Sequence, residues 1–395
     1  MLPHPFPNCI ISSVPAFSPD GKSLALACMT SGVEIGGIFV EPGAGGPARE
    51  IVHIEGTLQG IAWSSDSQSL VYSLNGDLWR VPAAGGIPDQ LPRAQHASGL
   101  AIARNGKRLA YSQSETKFNI WRVNLMSPTK ASRAPIKLIA STGVQSGPRI
   151  SPDGRHIAFE STRSGSGEIW LCDSDGSNPV QMTFFNGPQT GTVRWSPDSR
   201  QLVFDSRATG RAQLYVLNVD GGPPRLLPTG TDAANPFWSA DGRWIYFSSE
   251  QSPAVWKVPA DGGNAVRLTD TDGFNPQESA DGARIYFVRG NDRVDLWWVP
   301  ASGGSSQRLE GMPSLVSGDH WTPSKNGIYF IDGAADPATL NLFDPTNRRI
   351  TRVATLSGYP GGWGPGLNVS NDGHTVLYGQ GDGFEGDIML IEGFR

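Results

Sequence analysis

Short runs in which apolar and polar residues alternate follow one another along the whole chain, separated by turns rich in Gly, Pro and Asp. A period of two sets one face of a strand against a core and the other away from it. Leu202-Val203-Phe204, Ile245-Tyr246-Phe247, Ile285-Tyr286-Phe287 and Ile328-Tyr329-Phe330 are the sharpest cases, and each is preceded by a polar turn. No helical period extends beyond two turns, so the pattern predicts an all-β fold.

The stretch 150–183 shows the repeating unit most completely. A strand ends at Ser151, Pro152-Asp153-Gly154 turns it, and Ile157-Ala158-Phe159 returns. A strand centred on Ile169-Trp170-Leu171 follows, then a second Asp-Gly turn at Asp175-Gly176 and a last short strand. In such turns Asp accepts hydrogen bonds from downstream amides and Gly supplies a positive φ. Aligned on the residue before the first turn, nine copies appear, at Ser18, Ser64, Ala103, Ser151, Ser196, Ser239, Ser279, Thr322 and Ser370, spaced 39 to 48 residues apart. Four strands at that period are the signature of propeller blades.

The chain therefore reads as one β-propeller domain, 1–395, of four-stranded antiparallel blades. Repeats start near 12, 58, 98, 145, 190, 233, 273, 317 and 365 and make eight or nine blades, with copies two and eight the candidates for irregular packing. A third-strand aromatic recurs in register (Phe39, Trp79, Trp121, Trp170, Tyr215, Trp256, Trp297) and is predicted to fill the widening wedge between blades. Residues 126–136 insert SPTKASRAP into copy three and predict a protruding loop. Copy nine stops before a fourth strand. Because an open edge is a liability, the N-terminal residues 1–6 are predicted to close the ring.

Composition narrows the function. With 38% hydrophobic and 17% charged residues the chain can bury a large core. A net charge of -5 without a basic block argues against nucleic-acid binding by this chain itself. Cys9, Cys28 and Cys172 show neither CxxC nor metal spacing; one disulfide between two of them is open, and burial as small apolar side chains is the favoured reading. No apolar run approaches the roughly 18 residues of a membrane span, and the first residues lack an export signal. The cysteines leave the compartment open; if complete as given, the chain reads as cytoplasmic, and a monomer is expected.

Motif chemistry is sparse. GxSxG, HExxH and GxxxxGK are absent, and the six histidines fall in different copies. Asp173-Ser174-Asp175-Gly176-Ser177-Asn178 resembles the start of a calcium loop but lacks the twelfth-position Glu. No catalytic residue, metal or cofactor is assigned. Polar residues gather instead in the loops before the first strands: Gln145, Gln189, Asn235, Asn275, Asp319 and His320. Such loops rim one mouth of a propeller channel, where converging amides and carboxylates form a binding floor for a protein, peptide or small ligand; ordinary loop solvation explains the same polarity. A propeller enzyme, hydrolase or lyase, with its site in that mouth is the alternative.

SPDGRHIAFESTRSGSGEIW, WSPDSRQLVFDS and WSADGRWIYFSS, each followed by a Gly-rich turn, resemble the TolB-type, WD-like propeller repeats of bacterial proteins over essentially the whole chain. The tail SNDGHTVLYGQGDGFEGDIMLIEGFR, with LWRVPAAGG and NIWRVNL, is similar to the C-terminal propeller of bacterial one-component regulators. Those join a winged-helix DNA-binding domain, usually through a membrane segment, to a sensory propeller; related propellers follow serine/threonine kinase domains. The resemblance implies a periplasmic sensor half with no catalytic residues of its own. Met1 stands beside the first copy, so DNA binding is not carried over, and the chain reads as a stand-alone relative or as part of such a gene's product.

Overall fold

The computed structural model describes residues 10–394 apart from 12–14, 30–34, 44, 56–57, 92–96, 188, 291–293 and 362–365. Every regular element among them is a β-strand, and no helix of the described residues is long and apolar enough to cross a membrane. Where one domain is predicted, internal contacts group the chain into two compact units, residues 1–115 with 384–395, and residues 116–383.

The first unit holds the sheet of copy one, whose strands Ser23–Met29, Ile35–Pro42 and Arg49–Glu55 lie side by side, and the four-stranded sheet of copy two, from Leu58–Trp63 to Asp89–Gln90. It also holds Ala97–Ile102 beside the first part of the long strand Arg108–Ser127 and the last part of Thr375–Glu392. The predicted closure of the ring by residues 1–6 lies outside the described residues; Ile10, beyond them, pairs with Met29 inside copy one.

In the second unit, copies four to eight each form one four-stranded sheet with strands in sequence order. Copies two and eight, the candidates for irregular packing, each form a four-stranded sheet with strands in sequence order. A sixth sheet is assembled from two distant parts of the chain, Leu367–Val369 and the first part of Thr375–Glu392 from copy nine, then the last part of Arg108–Ser127 and Ile136–Ile139 from copy three. The outer strands that copy nine lacks thus come from copy three. First strands touch in a closed cycle: Gln145–Ile150, Thr190–Trp195, Ala234–Trp238, Phe274–Glu278, Trp321–Ser324 and Leu367–Val369, with the last meeting the first. Arg149 Nη1 donates to Leu367 O (2.9 Å) and Ile150 N to Asn368 Oδ1 (2.8 Å) across that seam.

The repeated turn behaves as its chemistry demands. Ser151 Oγ donates to Asp153 Oδ1 (2.5 Å), which also accepts the Arg155 amide (3.1 Å), while Gly154 adopts φ 75°. The same Ser–Asp bond recurs at Ser18, Ser64, Ser196, Ser239, Ser279 and Ser370, and these bonds hold each Asp below the usual carboxylate range. Ser199 replaces Gly at φ 62°, and its Oγ accepts the amide of Asp153 one copy earlier (3.1 Å). The departure from Gly supplies a bond between successive blades.

The core is deepest on the second strands. Phe159, Phe204, Phe247 and Phe287 there are fully buried; of the third-strand rings, Phe39 and Tyr215 are buried, while Trp170, Trp256 and Trp297 are half-buried. Arg163 stacks on Trp170 (4.9 Å) and Arg289 on Trp297 (4.4 Å), so these outer rings are shielded partly by guanidinium faces. The insertion of copy three is not a free loop. Leu125 pairs with Ala131, and Tyr329 Oη of copy eight donates to Pro128 O (2.8 Å), which anchors the hairpin. Cys172 is a free, buried thiol as expected; Cys28 is disulfide-bonded, against the favoured reading, and Cys9 lies outside the described residues.

Truncation of a fully buried second-strand ring should therefore cost more than truncation of its third-strand neighbour. Phe159→Ala is expected to lose about 3 to 5 kcal/mol in denaturant unfolding, and Trp170→Ala, its cross-strand neighbour, distinctly less. Equal losses would return the core to the third strands.

Candidate functional site

A first strand in a propeller has a sheet partner on one edge only. Its other edge faces the axis, where backbone N–H and C=O groups still need partners. In the second unit the first strands are also kinked, with register shifts at Ser146/Arg149, Gly191/Arg194, Ala234/Phe237 and Phe274/Gln277. Each kink carries one left-handed residue: Gly147 (φ 58°), Thr192 (53°), Asn235 (53°) and Asn275 (50°). Gly and Asn suit that conformation; a β-branched Thr is strained there.

Side chains from neighbouring copies meet the free edge. Glu160, on the second strand of copy four, accepts the Thr192 amide, and Asn368 Oδ1 accepts the Ile150 amide. Trp195 Nε1 donates to Arg149 O (2.9 Å), Gln277 Nε2 to Trp321 O (3.1 Å) and Asn275 Nδ2 to Gly318 O (2.6 Å). Much of the axial polarity is thereby structural.

A remainder is not used in this way. The residue just before the repeat-defining pair is Arg149, Arg194, Phe237, Gln277, His320 and Asn368 in the six sheets. Arg194 is 5% exposed, yet its guanidinium makes one hydrogen bond among the described residues, a 3.3 Å contact to Val193 O, and lies over the Phe237 ring at 5.7 Å. Arg149 and Arg194 repel each other, and both interact electrostatically with Glu160 and Asp319. Burial brings Arg194 down to about 10, which leaves it charged at neutral pH. Burial pushes Glu160 and Asp205 up to about 7 and raises Asp319, with the two arginines opposing the rise at Asp319. His320 falls to about 4 through burial and is neutral. Thr192 Oγ1, Asp205 Oδ1, Asn275 Oδ1 and His320 Nε2 are buried without a hydrogen-bond partner among the described residues. Buried polar atoms are ordinarily satisfied by protein, water or ligand.

Of the residues singled out in the sequence, Asp319 belongs to this cluster through its interaction with both arginines, and His320 is its neighbour in the chain. The others have local tasks. Gln145 is buried, donating to Ser141 Oγ and Gly143 O and accepting from Arg163. Gln189 is exposed, accepts from Arg207 (3.0 Å) and lines a small cleft with Ser146, Glu160 and Thr190. Asn235 donates to Ser248 Oγ (3.2 Å), and both Asn235 and Asn275 occupy the left-handed kinks. Arg149, Arg194, Glu160, Asp205 and Thr192 escaped the sequence reading. Comparison of copies carries the signal: Glu160 and Asp205 stand where copies two, three, six and seven have Ser73, Ser112, Ser248 and Val288.

Six sheets with touching first strands and a shared repeat turn define a β-propeller protein. The model of the tricorn protease N-terminal beta propeller domain matches residues 119–255, about a third of the chain. Among curated proteins, Protein hir1 of Schizosaccharomyces pombe is 28% identical over 155 residues, 35% of this chain and 16% of that protein. An uncharacterized protein of Agrobacterium fabrum is 32% identical over 107 residues, 27% of this chain and 35% of its own length. The matches thus span about a third or less of these relatives. Of solved structures, a putative TolB from Agrobacterium tumefaciens is 20% identical with TM-score 0.40, covering 85% of this chain and 94% of that one. An oligogalacturonate lyase in complex with manganese is 16% identical with TM-score 0.34, covering 74% and 89%.

The buried acids make stability depend on pH. Glu160 binds its proton more tightly folded (about 7) than unfolded (about 4.5), so between those values the native state holds the extra proton and stability falls as pH rises. Asp205 acts in the same direction. His320, lowered from 6.5 to about 4, acts oppositely across that window. Urea unfolding of Glu160→Gln at pH 4.5 to 7 should show a flatter fall, or a steeper rise, than wild type. Parallel curves would mean that Glu160 is not buried as described.

Proposed function

We propose that the chain is a non-enzymatic binding module whose axial cluster in residues 116–383 receives a small ligand or the end of a peptide. The observation that carries this reading is the set of polar groups left over once the free strand edges are satisfied: the Arg194 guanidinium and the lone Thr192 Oγ1, Asp205 Oδ1 and His320 Nε2. A structural role gives no reason to bury them. Asp319 and His320 contribute directly, while Gln145, Gln189, Asn235 and Asn275 frame the mouth. By resemblance the role is sensory, as in the propellers of one-component regulators, with the protein acting as a monomer. A periplasmic setting agrees with the disulfide at Cys28, since such bonds persist in oxidising compartments.

Thermal unfolding of the whole chain against a library of metabolites and short peptides tests the reading. A ligand at a hundred times its Kd adds about 2.7 kcal/mol, and the resulting Tm rise should vanish in Asp319→Ala and in His320→Ala. A rise that both variants retain would place binding elsewhere, and chemical turnover of the ligand would favour the enzyme reading.

A further inference from the structure

The geometry points to a carboxylate monoanion as the group that the buried Arg194 guanidinium, beside Arg149, is built to receive, an inference that rests on the axial-binding reading above. Arg149 and Arg194 occupy equivalent places on neighbouring first strands, and both are buried. Arg149 donates to Pro148 O (2.8 Å) and, across the seam of the ring, to Leu367 O (2.9 Å). Arg194 has no carboxylate within ion-pair distance among the described residues, and its one hydrogen bond is the 3.3 Å contact to Val193 O. An arginine removed from water without a paired anion is costly. Its planar fork matches the two oxygens of a carboxylate, and the Phe237 ring beneath it holds the plane in place. Thr192, two residues earlier on the same strand, adds a buried hydroxyl with no partner among the described residues, on a backbone kept in a strained conformation by the Glu160 carboxylate.

The surrounding charges select the size of the anion. Asp319 interacts with both guanidiniums, and Glu160 with both as well. A dianion such as phosphate would be repelled by these carboxylates more strongly than a monoanion in a poorly solvated site. A single negative charge leaves the cluster nearer balance, and Glu160 and Asp205 can each keep a proton near neutral pH to accommodate it. Asp205 Oδ1 and His320 Nε2 then remain as acceptors for the N–H or O–H groups of the molecule that carries the carboxylate.

The test uses the full chain and three probes, N-acetyl-alanine, N-acetyl-alaninamide and inorganic phosphate, in calorimetric titrations at millimolar concentration. N-acetyl-alanine should bind about tenfold or more tightly than its amide, with phosphate also weaker; tenfold corresponds to about 1.4 kcal/mol. Arg194→Gln should remove that preference, and Arg194→Lys, which keeps the charge but loses the fork, should weaken N-acetyl-alanine while leaving the fold intact by unfolding curves. Arg211→Gln, an exposed arginine outside the cluster, should leave it unchanged. Equal affinity for acid and amide, tighter binding of phosphate, absence of binding by all three probes, or wild-type affinity in both Arg194 variants would each overturn the inference. Loss of amide binding in Asp319→Ala with retention in Arg194→Gln would also overturn it while sustaining the broader reading of an axial binding site.

Discussion

The innermost strand of each blade has one edge that no strand can cover. Each N–H and C=O along that edge lies near the axis, crowded by neighbouring blades, and a buried backbone group without a partner costs about as much as a lost hydrogen bond. The second unit meets this requirement with side chains taken from the next or previous copy: Glu160 to the Thr192 amide, Asn368 to the Ile150 amide, Trp195 to the Arg149 carbonyl, Gln277 to the Trp321 carbonyl. The same bonds tie blade to blade. Edge satisfaction and ring integrity are therefore one set of interactions, and residues that take part in them are explained without reference to a ligand.

That division separates architecture from function. Gln277 and Asn275 look like binding residues by type and place, yet their amide nitrogens are committed to Trp321 O and Gly318 O. Arg194 sits at the place equivalent to Gln277 two sheets away, and its guanidinium makes one hydrogen bond among the described residues. Thr192 tolerates a backbone conformation that its β-branched side chain disfavours, and its hydroxyl serves no edge. Strain and unsatisfied polarity concentrated on one short segment, 192–194, follow the pattern by which proteins give up stability at sites kept for another purpose.

The repeat was legible because its chemistry is local. The Ser–Asp hydrogen bond and the positive φ of Gly154 depend on residues within a few positions of one another, and each is present as read; the second strands lie where expected but are buried on both faces rather than one. What the sequence hid is set by distant partners. The sheet that joins the seam pairs copy three with copy nine, and no local pattern announces that the missing outer strands of one end are supplied by the other. Third-strand aromatics stand in the expected register and pack against the core, but only Phe39 and Tyr215 are buried, whereas Trp170 and Trp297 are half-buried beneath arginines, a depth that neighbouring side chains set. At the axis, residue type alone cannot distinguish an amide consumed by a strand edge from a guanidinium left without an anion. The substitutions of Glu160 and Asp205 against the Ser and Val of other copies were the nearest visible trace.

The claim that axial polar residues divide into edge-satisfying and ligand-directed groups is tested most directly by comparing the unfolding free energies of Asn368→Ala and Arg194→Gln in the ligand-free protein. Asn368→Ala should lose about 1 to 3 kcal/mol, because it strands the partly buried Ile150 amide, whereas Arg194→Gln should leave stability unchanged or raise it. A neutral Asn368→Ala beside a strongly destabilised Arg194→Gln would contradict the account.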